Sequence, residues 1–161
     1  MNFQIRRALS EDAPLIAEIL RDLGWFEYLA AEAPAATAGR VGHFLAQCLA
    51  GDRQSVYVAE AGPGEILGYA GVHWLPYLFL PGPEGYISEL FVRESGRGQG
   101  VGSRLLEAIK IEAKTRGCFR LTLINNRRRE SYQRGFYKKQ GWRELEDSAR
   151  FVYLLAETPV A

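Results

Sequence analysis

Residues 92–103 read VRESGRGQGVGS, so that Val92 is followed by Gly96, Arg97, Gly98, Gln99, Gly100, Val101, Gly102 and Ser103 in close succession. Upstream, Tyr86 to Val92 is a largely apolar run of strand length. Downstream, Val101, Leu105, Ala108, Ile109 and Ala113 recur at helical spacing until Gly117 stops the pattern. A strand therefore hands over to a helix through a glycine-rich turn. Glycines let main-chain N–H groups converge without side-chain interference. The first amides of a helix lack an internal partner and sit at its positive end. The segment predicts a cradle for phosphate or pyrophosphate. Two familiar nucleotide loops are excluded. A GxGxxG fingerprint needs glycine where Ser103 or Leu105 stands, and a P-loop needs a Gly-Lys-Ser/Thr tripeptide that the chain lacks.

Working outward, Phe3 and Ile5 alternate with Gln4 and Arg6, as in a half-buried first strand. Ser10 is placed to cap a helix whose stripe is Leu15, Ile16, Ile19, Leu20 and Leu23, ending at Gly24. A second helix carries Val41, Phe44, Leu45, Cys48 and Leu49, and the Ala-rich residues 30–38 with Pro34 read as a loop. Ser55–Glu60 and Ile66–Trp74 are strands joined at Gly62-Pro63-Gly64, an antiparallel hairpin. After the 86–92 strand and its helix come a strand at Phe119–Ile124, a short helix over 128–140 and a final strand at Phe151–Leu155. The order β-α-α-β-β-β-α-β-α-β predicts an α/β fold, one domain over residues 1–161. Its sheet is expected to be mixed and mostly antiparallel, with helices on both faces.

A chain of 161 residues suits one domain and buries a core without disulfide or metal staples. The formal net charge of +1 gives neither the basic excess of a nucleic-acid or membrane-surface binder nor an acidic tail. Cys48 and Cys118 form no CxxC pair, as suits free thiols in a reducing compartment. With two histidines in all, no metal is expected. The start MNFQIRRALSED lacks a signal-peptide run, and no window approaches the roughly 18 apolar residues of a membrane span. The expectation is a cytoplasmic protein without nucleic-acid or membrane partners.

Three segments together resemble the GNAT superfamily of acetyl-CoA-dependent N-acetyltransferases. They are the strand Ile87-Ser88-Glu89-Leu90-Phe91-Val92, the turn Arg97-x-x-Gly100-x-Gly102, and Phe136-Tyr137-Lys138-Lys139-Gln140-Gly141-Trp142. They stand in the family's order, with a helix and a strand between the second and third. The resemblance implies acetyl-CoA as cosubstrate, its pyrophosphate on the backbone of Arg97, Gly98, Gln99, Gly100, Val101, Gly102 and Ser103. Its pantetheine arm would lie like an extra strand against Leu90, Phe91 and Val92. Arg97 would add a charge-assisted bond to phosphate or stand as a solvated surface residue. Where the family often has Asn six residues before the Phe-Tyr pair, this chain has Glu130. Asn125 is a candidate polar contact to the cofactor, although turn chemistry accounts for it and for Asn126 as well.

Attack on a thioester needs a neutral amine and a proton for the departing thiolate. With an alkyl amine near pKa ~10.4 and a thiol near ~8.5, one base and one acid suffice for direct transfer, without a covalent enzyme intermediate. The resemblance places Tyr137 beside the sulfur, and its phenol, of pKa about 10, holds its proton at neutral pH. It is the candidate acid, with a core aromatic as the alternative reading. Alternation puts Glu89 on the face of Ile87 and Phe91, where a carboxylate is out of place in a core. It is the candidate base, directly or through a water, with a salt bridge to an arginine as the alternative; Ser88 is expected on the opposite face. His73 is a second candidate base. Trp25, Tyr28, His73, Trp74 and Tyr77 are expected to hold a cationic amine against ring faces. The same rings would equally cover a core or the interface of a homodimer. The expected acceptor is the primary amine of a small molecule. A protein N-terminus or lysine, or a catalytically silent coenzyme A sensor or scaffold, are the other readings. Arg127-Arg128-Arg129, with Glu130 beside them, fall short of a basic face.

Overall fold

Strands β1 (Gln4–Arg7), β2 (Gln54–Gly62), β3 (Glu65–Leu75), β4 (Glu84–Val92) and β5 (Arg120–Leu123) lie side by side in chain order. The first four pair antiparallel. β4 and β5 pair parallel, linked by a crossover through a helix at Val101–Thr115. The computed structural model describes residues 2–153 and 155, which fall into two units, one running to Leu123 and one beginning at Ile124.

Helices α1 (Ala13–Asp22), α2 (Glu27–Ala31) and α3 (Pro34–Leu49) precede β2, and α4 (Val101–Thr115) follows β4. Period-two alternation sorts the strand side chains between two cores. On one face Val56, Val58, Ile66 and Tyr69 cluster with Ile16, Ile19 and Leu45 of α1 and α3, and Phe91 packs against them. On the other face α4 buries Val101, Leu105, Leu106, Ile109 and Ala113. There Ser55 and Tyr57 donate to Glu112 at 3.0 and 2.8 Å, and the Trp74 indole N–H donates to Ser55 Oγ at 2.8 Å. Helices cover both faces of a mixed, mostly antiparallel sheet.

Four local expectations are corrected. Residues 30–38 are largely helical: α2 ends at Ala31 and α3 starts at Pro34. Proline is harmless in a first turn, and the following alanines favour helix. Ser10 does not cap α1. It opens a one-turn 3-10 helix, Ser10–Asp12, and the Asp12 carboxylate accepts the Leu9 N–H at 2.7 Å. In the second unit the helix expected over 128–140 is split into α5 (Glu130–Gln133) and a 3-10 turn (Lys138–Gln140). Gly135 separates them at φ +67°, a left-handed residue that ends helical bonding. Phe151–Tyr153 are in no strand, with exposed side chains, and Leu154 lies outside the described residues. No described helix is long and apolar enough to cross a membrane.

Candidate functional site

The end of β4 is unlike the rest of the sheet. Its parallel ladder with β5 covers Glu84 to Ile87, because β5 stops at Leu123 opposite Ile87. β4 runs on to Val92, so along Ser88–Val92 its outer edge has no strand partner among the described residues. Backbone donors and acceptors there are left for something else to satisfy. Leu90, Phe91 and Val92 all lie on this stretch.

The strand then delivers the chain to the glycine turn. A 3-10 turn (Glu94–Gly96) is followed by Gly98 at φ +73° and Gly100 at φ +82°. Gly100 caps α4 from the left-handed region, and no side chain caps it. The first-turn amides of Val101, Gly102 and Ser103 therefore have no partner within the helix. Space in front of the turn is open, since a Cβ at Gly98 or Gly100 would meet nothing within 4 Å. Gln99 folds back on the turn, its Nε2 donating to Ser95 O at 2.5 Å, while Arg97 is exposed. Uncapped amides at a positive helix end fit an anionic diphosphate, and the open edge of β4 fits an extended amide-bearing arm.

A β-bulge sets the side chains beside this edge. Gly71 pairs with Glu89 and Val72 with Ile87, which leaves Ser88 as the extra residue. Two expectations fall with it. Ile87 goes with Val72 to the α4 face, whereas Glu89 goes with Phe91 to the α1–α3 face, so Ile87 and Glu89 do not share a side. Ser88 does not oppose Glu89 either. A Cβ added at Gly71 would lie 3.5 Å from Ser88 Oγ and 3.9 Å from Glu89 Oε2, so both side chains stand over the same bare glycine. His73 Nε2 lies 3.0 Å from Ser88 Oγ, and Nδ1 lies 3.0 Å from Gln54 Nε2. Glu89 is exposed, and no ion pair holds it among the described residues.

Aromatic rings wall the same face. Phe91 meets Trp25 at 5.8 Å, Phe26 at 6.0 Å and Tyr69 at 5.7 Å, and Phe26 meets Tyr28 at 6.0 Å. Trp25, Tyr28 and His73 thus gather on the side of Glu89. Trp74 does not. Alternation sends it to the α4 face, where it is 6 % exposed and lies under Arg116, 4.9 Å away. Tyr77 sits in the β3–β4 loop against Phe79, ring to ring at 5.4 Å. Sequence reasoning missed Tyr69 and Gly71. The available signal is a tyrosine and a glycine two apart, in a mostly apolar strand whose other exceptions are Glu65, Gly68 and His73.

In the second unit Tyr137 packs edge-on against Phe136 at 4.9 Å and Trp142 at 6.1 Å. Burial pushes its phenol up to about 12. Asn125 Oδ1 accepts from Ser131 Oγ at 3.2 Å, but its Nδ2 is buried without a partner among the described residues. Asn126 Oδ1 accepts the Arg128 N–H at 2.9 Å, an ordinary Asx turn. Arg127 pairs with Glu144 at 3.0 Å, alongside Lys138 at 2.8 Å, so the basic run is partly neutralised.

Comparison with known proteins gives concordant matches. Residues 52–144 match the acetyltransferase (GNAT) domain model. The chain is 28 % identical over 124 residues to thialysine N-epsilon-acetyltransferase of Bos taurus, covering 74 % of this chain and 72 % of that one. It is 33 % identical over 119 residues to the L-methionine sulfoximine/L-methionine sulfone acetyltransferase of Pseudomonas paraeruginosa, covering 73 % and 67 %. In fold it is similar to a transcriptional regulator from Bacillus halodurans C-125, with a TM-score of 0.81 at 24 % identity over 94 % of this chain and all of that one. It is likewise similar to glucosamine-6-phosphate N-acetyltransferase from Arabidopsis thaliana, with a TM-score of 0.75 at 21 % identity over 97 % and 100 %.

Proposed function

Because the chain belongs to the GNAT family of acetyltransferases, we propose that it moves an acetyl group from acetyl-CoA directly onto the primary amine of a small molecule. The observation that carries the reading is the unpaired edge of β4 running into the uncapped amides of α4. Leu90, Phe91 and Val92 would bind the pantetheine arm through their backbone. Residues 97–103 would bind the diphosphate. Acetyl-CoA supplies the activated acetyl thioester. The family match spans both units of the structure, which supports treating residues 1–161 as one acetyltransferase domain.

Glu89 takes the proton of the incoming ammonium on its carboxylate. It is exposed, and no ion pair holds it among the described residues, so it can pass that proton on to solvent. Tyr137 holds a proton at Oη and gives it to the departing sulfur; its raised pKa keeps the phenol protonated at working pH. Trp25 and Tyr28 orient a cationic acceptor near Glu89. The acetyltransferase relatives named above act on small amino compounds, as their names state, which supports a small-molecule acceptor here.

The test is thiol release from acetyl-CoA across a panel of small primary amines, with a peptide N-terminus and a lysine peptide included. Glu89→Gln and Tyr137→Phe should each lower kcat/KM by about 10²-fold. If both stay within about threefold of the parent, the acid and base assignment is wrong. Turnover with peptides alone would move the acceptor to protein. Coenzyme A should raise the melting temperature, because a ligand that binds only the folded form must stabilise it.

A further inference from the structure

Tyr69 is the polar intruder in the α1–α3 core. It is 2 % exposed, its ring lies against Phe91 and the cluster around Ile16 and Leu45, and its hydroxyl makes no hydrogen bond of ordinary geometry among the described residues. A buried hydroxyl left without a partner carries a desolvation cost and asks for a reason. The register supplies one. Tyr69 and Gly71 share a face two residues apart, and the Glu89 carboxylate stands over Gly71. Phenol and carboxylate are therefore neighbours on one face, with Cys48 of α3 and Tyr28 beside them and His73 committed to Gln54 and Ser88. Burial first, then the charge of Glu89, pushes the Tyr69 phenol well above its ordinary value. It keeps its proton and can only donate.

A phenol that keeps its proton beside a carboxylate is a donor aimed at that carboxylate. We infer that Tyr69 is a positioning residue whose hydroxyl donates to the Glu89 carboxylate and so fixes where that carboxylate meets the acceptor ammonium. The ammonium passes its proton to Glu89 and the amine is left neutral; Tyr69 donates throughout and keeps its own proton. The inference rests on Glu89 being the base proposed above.

Tyr69→Phe keeps the ring and removes the hydroxyl, so a structural role and a positioning role predict different things. If the hydroxyl merely sits in the core, removing it should hold or raise the melting temperature and leave turnover unchanged. With a positioning role the fold is likewise kept, but kcat/KM falls about tenfold. The acidic limb of its pH profile also moves to higher pH, because the carboxylate has lost a donor. In the Glu89→Gln background the same change should have no further effect on kcat/KM. A Tyr69→Phe enzyme within about twofold of the parent with an unmoved limb overturns the inference while leaving the base intact. A fully active Glu89→Gln enzyme overturns both. A readout free of turnover is the 13C shift of Tyr69 Cζ, which should change in Glu89→Gln; an unchanged shift counts against any coupling between the two groups.

Discussion

Gly68 is where β3 comes closest to the end of β4. A Cβ added there would sit 2.6 Å from the Phe91 carbonyl oxygen and 3.1 Å from Val92 Cα and Cγ2. The first of these is main chain and cannot rotate away, so Gly68→Ala must push the two strands apart at Phe91–Val92. Overpacking of this kind costs about 1–3 kcal/mol. At about 2–4 °C per kcal/mol for a chain of this length, the melting temperature should fall by roughly 3–10 °C. Gly71→Ala is the matched control on the same strand. Its nearest neighbour would be 3.5 Å away and its φ is not positive, so the methyl is accommodated and the unfolded chain loses freedom. That variant should melt at or above the parent. Gly68→Ala displaces the edge proposed for the pantetheine arm, so its heat of coenzyme A binding should weaken, whereas Gly71→Ala should bind coenzyme normally and change the acceptor KM. Thermal melts and titration calorimetry on the pair decide the matter. Gly68→Ala melting within about 1 °C of the parent, with unchanged coenzyme binding, would refute the reasoning.

Three further outcomes are expected. With the Tyr137 phenol pushed up to about 12, the acid keeps its proton, so kcat should show no alkaline fall up to about pH 10; a limb centred there would mean an unshifted phenol. Arg6 holds Glu60 down at about 2, and for Asp12 the hydrogen bonds from Arg6 and Leu9 outweigh the upward push of burial. Both folded pKa values are depressed, so their contribution is present above the ordinary carboxylate range and lost as pH falls through the folded values. The urea-stability gap between parent and Arg6→Ala should therefore shrink from about pH 5 to pH 2, and a constant gap would contradict the linkage. Trp74→Phe should lower stability by about 1–3 kcal/mol through its lost bond to Ser55, yet leave the acceptor KM alone, while Trp25→Ala should raise that KM. Equal KM effects would show that the two faces are misassigned.

What could be read from residues alone was whatever local chemistry dictates. The turn at 96–102 announces itself because left-handed positions call for glycine, and Gly98 and Gly100 do take positive φ. Apolar runs located β1 to β5, though not the strand expected at Phe151–Leu155, and apolar stripes located α1 and α4. The bulge at Ser88 was not legible, since nothing in Ile87-Ser88-Glu89 marks an extra residue. It arises from pairing with β3, and the faces assigned by strict alternation failed from that point. Trp74 was assigned to the acceptor site by its place in an aromatic stretch, although counting from His73 would have put it on the opposite side. Nothing in the run Ile66–Trp74 assigns Tyr69 a role; the one proposed for it comes from the Glu89 carboxylate across the register, which no sequence pattern shows.

The half-sewn ladder between β4 and β5 has a consequence for how such a protein changes over time. A guest lying along Ser88–Val92 is read by peptide groups, and substitution cannot delete those, proline excepted, which removes the N–H. Side chains on that stretch are then at liberty to drift toward new acceptors while the hold on the donor molecule persists.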